Sequence, residues 1–162
     1  METWMITGVT GFLGPRVEVT LREKGEVEVL PMTREELNFT DEEQVKRVLG
    51  TLHPDVLVHA AAVSDTGACE RDPEGSWKVN VTGVEYLSKA CRENGTKLIF
   101  ASSDQVYTGS EVRTPHREDE ILTPANVYGR EKLEAERIVA NWCPEGVSLR
   151  LTWMYDLPGK LP

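Results

Sequence analysis

The sequence predicts an α/β protein: a doubly wound parallel sheet with helices on both faces. Three observations carry that prediction. Short apolar runs alternate with longer amphipathic stretches along the whole chain. The runs are apolar on both faces, as strands covered from two sides require. A glycine-rich turn follows the first run directly and opens the first helix.

Trp4, Met5 and Ile6 form the first strand. The turn Gly8-Val9-Thr10-Gly11-Phe12-Leu13-Gly14 follows, then a helical stretch to Lys24 that Gly25 stops. Residues 27–30 are a second strand ending near Pro31. Thr40 and Glu43 have the spacing of a capping box for a helix through Leu49. Residues 56–60 are a third strand. Val79, Val84, Leu87, Ala90 and Cys91 lie at helical spacing and predict a helix over 76–93, ended by Asn94-Gly95. Residues 98–101 are a fourth strand, and 104–125 are polar and proline-containing, hence a long loop. A charged helix over 126–140 and a last strand over 147–151 complete the order β-α-β-α-β-α-β-loop-α-β. Sheets of this kind bind ligands at the C-terminal ends of their strands, near the point where strand order reverses.

Composition limits the function. The 162 residues are 40% hydrophobic and 28% charged, which suits one globular domain over 1–162. The net charge of -9 disfavours nucleic acid and anionic membrane as partners. No apolar run approaches the roughly 20 residues of a spanning helix, and the N-terminus lacks a signal-peptide pattern. Cys69, Cys91 and Cys143 are odd in number, with no CxxC pair. That speaks against a disulfide framework or a zinc site and for a reducing, cytoplasmic setting. His53 and His116 have no metal-ligand spacing, so no metal is expected. His59 reads as a satisfied core histidine, and Trp77 and Trp142 as packing residues.

The G-x-x-G-x-x-G turn of Gly8, Gly11 and Gly14 points to a dinucleotide. Glycines let the backbone approach a pyrophosphate, and the helix N-terminus, with Phe12 and Leu13, presents free N–H groups and a partial positive charge to it. This makes the domain Rossmann-like. The second strand ends in Pro31-Met32-Thr33-Arg34 without an acid to hold a ribose 2′-hydroxyl. Arg34 beside Thr33 offers a fork to a 2′-phosphate, which favours NADP, with NAD possible; otherwise Arg34 is a surface cation paired with Glu35 or Glu36. Ala60-Ala61-Ala62 ends the third strand in small residues against which a cofactor can lie. Tyr128 and Lys132 share one face of the charged helix, where an ammonium would lower a phenol pKa that is ordinarily about 10. Ser103, at the end of the fourth strand, can donate to a carbonyl while Tyr128 moves the proton. The run 130–137 reads as one solvated helix face. The apolar side of that helix (Leu133, Ile138, Val139) allows a homodimer bundle.

Five stretches carry a resemblance to a known family. They are Thr7-Gly8-x-x-Gly11-x-x-Gly14, His59-Ala60-Ala61-Ala62, Val79-Asn80-Val81-Thr82-Gly83, Ser102-Ser103-Asp104-Gln105-Val106-Tyr107, and the segment from Asn126 through Tyr128-Gly129-Arg130-Glu131-Lys132 to Glu134. In these the chain resembles the extended short-chain dehydrogenase/reductases. Arg117-Glu118-Asp119, Pro124-x-Asn126-Val127-Tyr128-Gly129 and Arg150-x-x-Trp153-x-Tyr155 make it similar, within that class, to the dTDP-4-dehydrorhamnose reductases. The resemblance implies a catalytic group of Ser103, Tyr128 and Lys132. It implies Asn80 in indirect support of Lys132 or the cofactor, Asn38-Phe39 beside the adenine, and Asp104 and Trp153 toward the substrate. The implied activity is NAD(P)-dependent reduction of a keto group on a nucleotide-linked sugar. Two other activities of the same class are a non-catalytic NADP-binding regulatory subunit and an NAD-dependent epimerase or dehydratase. Four positions depart from the family pattern: Asn38 stands for Asp, Gln105 for Tyr, Leu151 for Thr and Asp156 for Gly. Members of the family are longer, so most of a C-terminal substrate domain is expected to be missing from these 162 residues.

Overall fold

Five parallel strands form one sheet in the order β2-β1-β3-β4-β5. They are β1 (Glu2–Thr7), β2 (Val27–Met32), β3 (Val56–His59), β4 (Lys97–Ser103) and β5 (Val147–Leu151). The structure, a computed structural model, describes residues 1–110 and 114–156. The register sets Met5 beside both Leu30 and Leu57, Leu57 beside Leu98, and Ala101 beside Leu149. Strand order reverses between β1 and β3, so the ends of those two strands border the crevice where such sheets take ligands.

Side chains alternate across the sheet and build two apolar layers. Met5, Leu57, Leu98 and Phe100 face α2 (Glu42–Leu52), α5 (Gly83–Asn94) and α6 (Val127–Trp142), where Val45, Leu49, Val84, Leu87, Ala135 and Val139 bury against them. Ile6, Val29, Val56 and Val58 point the other way, toward Val17 and Leu21 of α1 (Leu13–Lys24). β5 departs from the expected two-sided cover: Val147 and Leu149 remain 40% and 44% exposed.

Several elements differ from expectation for local reasons. β2 runs on through Pro31, which an edge strand tolerates because one side of its backbone needs no ladder partner. The cap of α2 is Asp41, whose side chain accepts from the Gln44 N–H, and not Thr40; the Thr40 hydroxyl donates to Asn38 Oδ1 at 2.8 Å instead. Two short helices, α3 (Thr66–Arg71) and α4 (Pro73–Trp77), precede a π turn over Lys78–Thr82 that runs straight into α5. The π turn brings Asn80 and Val81 inward together. A 3-10 turn over Asp104–Tyr107 opens the long loop. Trp77 is 46% exposed and does no packing in the core; Trp142 lies partly buried against it, with Lys89 and Arg92 over its ring.

Candidate active site

The glycine turn is shaped by backbone meeting backbone. Gly8 has φ 77°, and a Cβ there would stand 2.7 Å from Ala60 C and Ala61 N. Only glycine lets the turn after β1 lie directly on the end of β3. Gly11 N–H donates to Gly8 O at 3.0 Å and closes the turn. A Cβ on Gly14 would fall 2.3 Å from Gly8 O, so Gly14 seats α1 on the turn. No side chain caps α1 and no acid sits in its first turn. The free N–H groups at the start of the helix therefore face the crevice with no acid from its own first turn beside them. These features fit the diphosphate of a dinucleotide.

Two adjoining cavities open at the strand ends. The larger, ≈ 720 Å³, brings together Gly8, Gly11, Phe12 and Leu13 from the turn, Ala60, Ala61 and Ala62 after β3, and Ser103, Asp104, Tyr128, Lys132 and Trp153. The smaller, ≈ 250 Å³, shares Gly8, Ala61 and Ala62 with it and adds Thr33, Arg34, Asn38 and Phe39. Gly14 and Asn80 line neither cavity; Gly14 seats α1 on the turn, and Asn80 sits behind the segment after Ala62. Trp153 is 84% exposed, which leaves its ring open to stacking. Asp156, just beyond it, accepts from Arg16 of α1 at 2.5 Å, while Arg16 also donates to Phe12 O and lies 3.7 Å from the Phe12 ring centre.

Ser103, Tyr128 and Lys132 converge because α6 docks tightly at its start. Asn126 caps the helix by accepting from Gly129 N–H at 2.7 Å, and Glu70 of α3 accepts from Val127 N–H at 2.8 Å. A Cβ on Gly129 would sit 2.4 Å from Gln105 O, so the missing side chain lets α6 press on the 3-10 turn beside Ser103. Lys132 is 2% exposed; its Nζ donates to Ala101 O at 2.8 Å and stands 4.6 Å from the Phe100 ring centre. Burial pulls its pKa down to about 8, against the opposing pull of the Glu131 and Glu136 carboxylates. Burial pushes the Tyr128 phenol up to about 12, and only the Ser103 hydroxyl opposes it. The expected lowering of the phenol by Lys132 is not found. The ammonium is engaged with Ala101 O and lies 5.6 Å from the Tyr128 ring centre, so loss of solvent dominates. A phenol in this state is neutral at pH 7 and is a proton donor.

The residues that hold this arrangement were partly hidden in the sequence. Glu131 is 1% exposed and accepts from Ser76 Oγ at 2.5 Å and from Asn80 Nδ2 at 2.7 Å. Asn80 in turn accepts from Val63 N–H and donates to Val63 O, both at 2.9 Å, which fixes the segment after Ala62. With Glu131, Lys132 and Ala135 buried, the run 130–137 is not the solvated face the charge pattern suggests. Arg150 donates to Glu136 Oε2 at 2.8 Å and to the Tyr107 hydroxyl at 2.6 Å, and Ser102 Oγ donates to Glu136. This ties β4, β5 and α6 together below the cavity. His59 is only half satisfied: Nδ1 pairs with Thr7 Oγ1 at 2.7 Å while Nε2 has no partner. Arg34 has no ion-pair partner among the described residues, and Glu36 turns to Thr33 instead. No group of His, Cys, Asp and Glu among the described residues is placed to hold a metal, and no described helix is long and apolar enough to cross a membrane.

A doubly wound parallel sheet with a glycine turn at its switch point, facing a serine, a tyrosine and a lysine, defines a Rossmann-like domain of the short-chain dehydrogenase/reductase class. The chain belongs to the RmlD substrate binding domain family, which matches residues 2–160. A dTDP-4-dehydrorhamnose reductase of Aggregatibacter actinomycetemcomitans is 31% identical over 160 residues, covering 99% of this chain and 54% of the relative. A crystal structure of dTDP-4-dehydrorhamnose reductase from Bacillus anthracis in complex with NADP superposes with a TM-score of 0.90 at 27% identity, covering 95% of this chain and 54% of that one. A UDP-glucose 4-epimerase of Thermus thermophilus in complex with NAD does so with a TM-score of 0.79 at 27% identity, over 91% of this chain and 54% of that one. The chain thus spans about half the length of the relatives it matches.

Proposed function

We propose that this chain is the dinucleotide-binding part of an NADP-dependent oxidoreductase that reduces a keto group of a nucleotide-linked sugar. The observation that supports this most is the single cavity shared by the glycine turn, the Ala60–Ala62 segment and the Ser103–Tyr128–Lys132 group. The nicotinamide cofactor, when bound, supplies the hydride. Everything else falls to this chain. Gly8, Gly11, Phe12 and Leu13 would hold the diphosphate on the α1 N-terminus. Asn38 and Phe39 would border the adenine, and Thr33 with Arg34 the ribose 2′-phosphate. Lys132, charged below about pH 8 and buried, would bond the nicotinamide ribose. Ser103 would donate to the substrate carbonyl oxygen, and the neutral phenol of Tyr128 would deliver the proton to it. Asp104 and Trp153 face the same cavity and would meet the sugar nucleotide. NADP is favoured over NAD by the unpaired Arg34, and the names of the relatives favour a dTDP-linked sugar. A cytoplasmic setting and a homodimer through α5 and α6 belong to the same reading.

Two measurements test it. Fluorescence titration should show NADPH binding more tightly than NADH. Tyr128→Phe should lower turnover on a dTDP-4-keto sugar by about a hundredfold or more while NADPH still binds. Full turnover in Tyr128→Phe would defeat the assignment. Bound NAD surviving purification, with no net cofactor oxidation, would instead indicate the epimerase chemistry of the Thermus neighbour.

A further inference from the structure

At the ribose end of the smaller cavity the chain already carries an anion on its own donors. Thr33 follows β2 directly, and both its N–H and its hydroxyl donate to Glu36 Oε2, each at 2.8 Å. Leu37 N–H donates to Thr33 O at 2.9 Å, closing a one-turn coil that fixes Glu36 over Thr33. Thr33 and Arg34 line the cavity, and Arg34 is exposed, with no ion-pair partner of its own among the described residues. The strand end therefore presents a backbone N–H, a hydroxyl and a guanidinium together, and a carboxylate from three residues on occupies the first two.

We propose that Glu36 is a specificity-determining residue, an internal anion that a cofactor 2′-phosphate must displace from Thr33. The proposal rests on the dinucleotide reading above and deepens it. A phosphate monoester carries about -1.5 to -2 charges at pH 7 and takes N–H, O–H and guanidinium donors together. It cannot share Thr33 with a carboxylate, because two anions on one pair of donors repel. Glu36 is exposed, so on displacement water replaces the two hydrogen bonds it loses from Thr33. The bonds from Thr33 hold its carboxyl below the ordinary range, so it stays charged through the neutral region. An unphosphorylated ribose offers a hydroxyl that has no need of Thr33, so its binding is indifferent to Glu36. The residue thus lowers the preference for the phosphorylated cofactor that Arg34 creates.

The test is equilibrium titration of the purified chain with NADPH and, separately, NADH, comparing wild type, Glu36→Gln and Thr33→Val. Glu36→Gln keeps an acceptor for Thr33 and removes the charge. It is expected to tighten NADPH about three- to tenfold and leave NADH unchanged. Thr33→Val is expected to weaken NADPH more than NADH. Unchanged NADPH affinity in Glu36→Gln overturns the proposal, and weakened NADH overturns it by showing Glu36 to be the acceptor for the ribose hydroxyl. If wild type binds neither nucleotide, the dinucleotide reading itself fails, an outcome distinct from both. Circular dichroism of Glu36→Gln verifies that the surface substitution leaves the fold in place.

Discussion

His59 shows how much a single buried atom can contribute. Its ring is 1% exposed between Phe39 and Phe100, with Nε2 unpartnered, and burial drops its pKa to about 3. The unfolded histidine takes a proton near pH 6.5 and the folded one does not until about pH 3. Stability from this group is therefore whole above pH 6.5 and falls as pH drops through that window, by about 1.4 kcal/mol per pH unit at most. His59→Asn, which keeps a partner for Thr7, should flatten that limb relative to wild type in urea melts at pH 7 and pH 5. A steeper limb in the variant would show that another group sets it. Gly8 is the other decisive position. Gly8→Ala forces a side chain into positive φ and against Ala60, so it should cost about 2 kcal/mol or more in the same melts and abolish NADPH binding.

At the scale of elements, α6 matters most because its first two turns carry Tyr128 and Lys132. Asn126→Ala removes the cap and should cost about 1 kcal/mol, read as a lower Tm. Glu131→Ala strands Ser76 and Asn80 without their shared acceptor and should cost about 3 kcal/mol, whereas Glu131→Gln, which can still bond both, should cost distinctly less. Equal losses in the two variants would mean the network contributes only packing. Much of this scale was legible in the sequence. The strands announced themselves as apolar runs, Gly25 and Gly95 as helix stops in the left-handed region, and Tyr-x-x-x-Lys as a shared face. The cap of α2 slipped by one because Thr40 and Asp41 are both good caps, and Asn38 takes the Thr40 hydroxyl. α3 has six residues, too few to show a helical period. Glu131 was hidden for a different reason: its partners lie 55 and 51 residues away, and no local pattern encodes them. The pKa of Tyr128 went the opposite way to expectation because spacing reveals a neighbour but not the loss of water around it.

At the scale of the whole molecule, among the described residues one face of the sheet is closed by three long helices and the other by α1 alone, which leaves Val147 and Leu149 of β5 partly exposed. The crevice lies at the boundary between β1 and β3, and its smaller cavity is lined by Met32, Leu37 and Phe39 from one apolar layer and Val9 from the other. NADPH at a hundred times its dissociation constant should therefore stabilise the chain by about 2.7 kcal/mol, and the shift should be absent in Gly8→Ala. Calorimetry with and without nucleotide reads this directly, and an unmoved wild-type transition would count against binding in the crevice. Arg16 and Asp156 join the first helix to the segment beyond the last strand, 140 positions apart in sequence, and Arg16 also bonds the carbonyl of Phe12, which lines the larger cavity. A clasp made of one partly exposed ion pair is tuned by the solution around it: added electrolyte should quicken nucleotide exchange in stopped-flow traces, and Asp156→Asn should be fast from the start and largely deaf to salt.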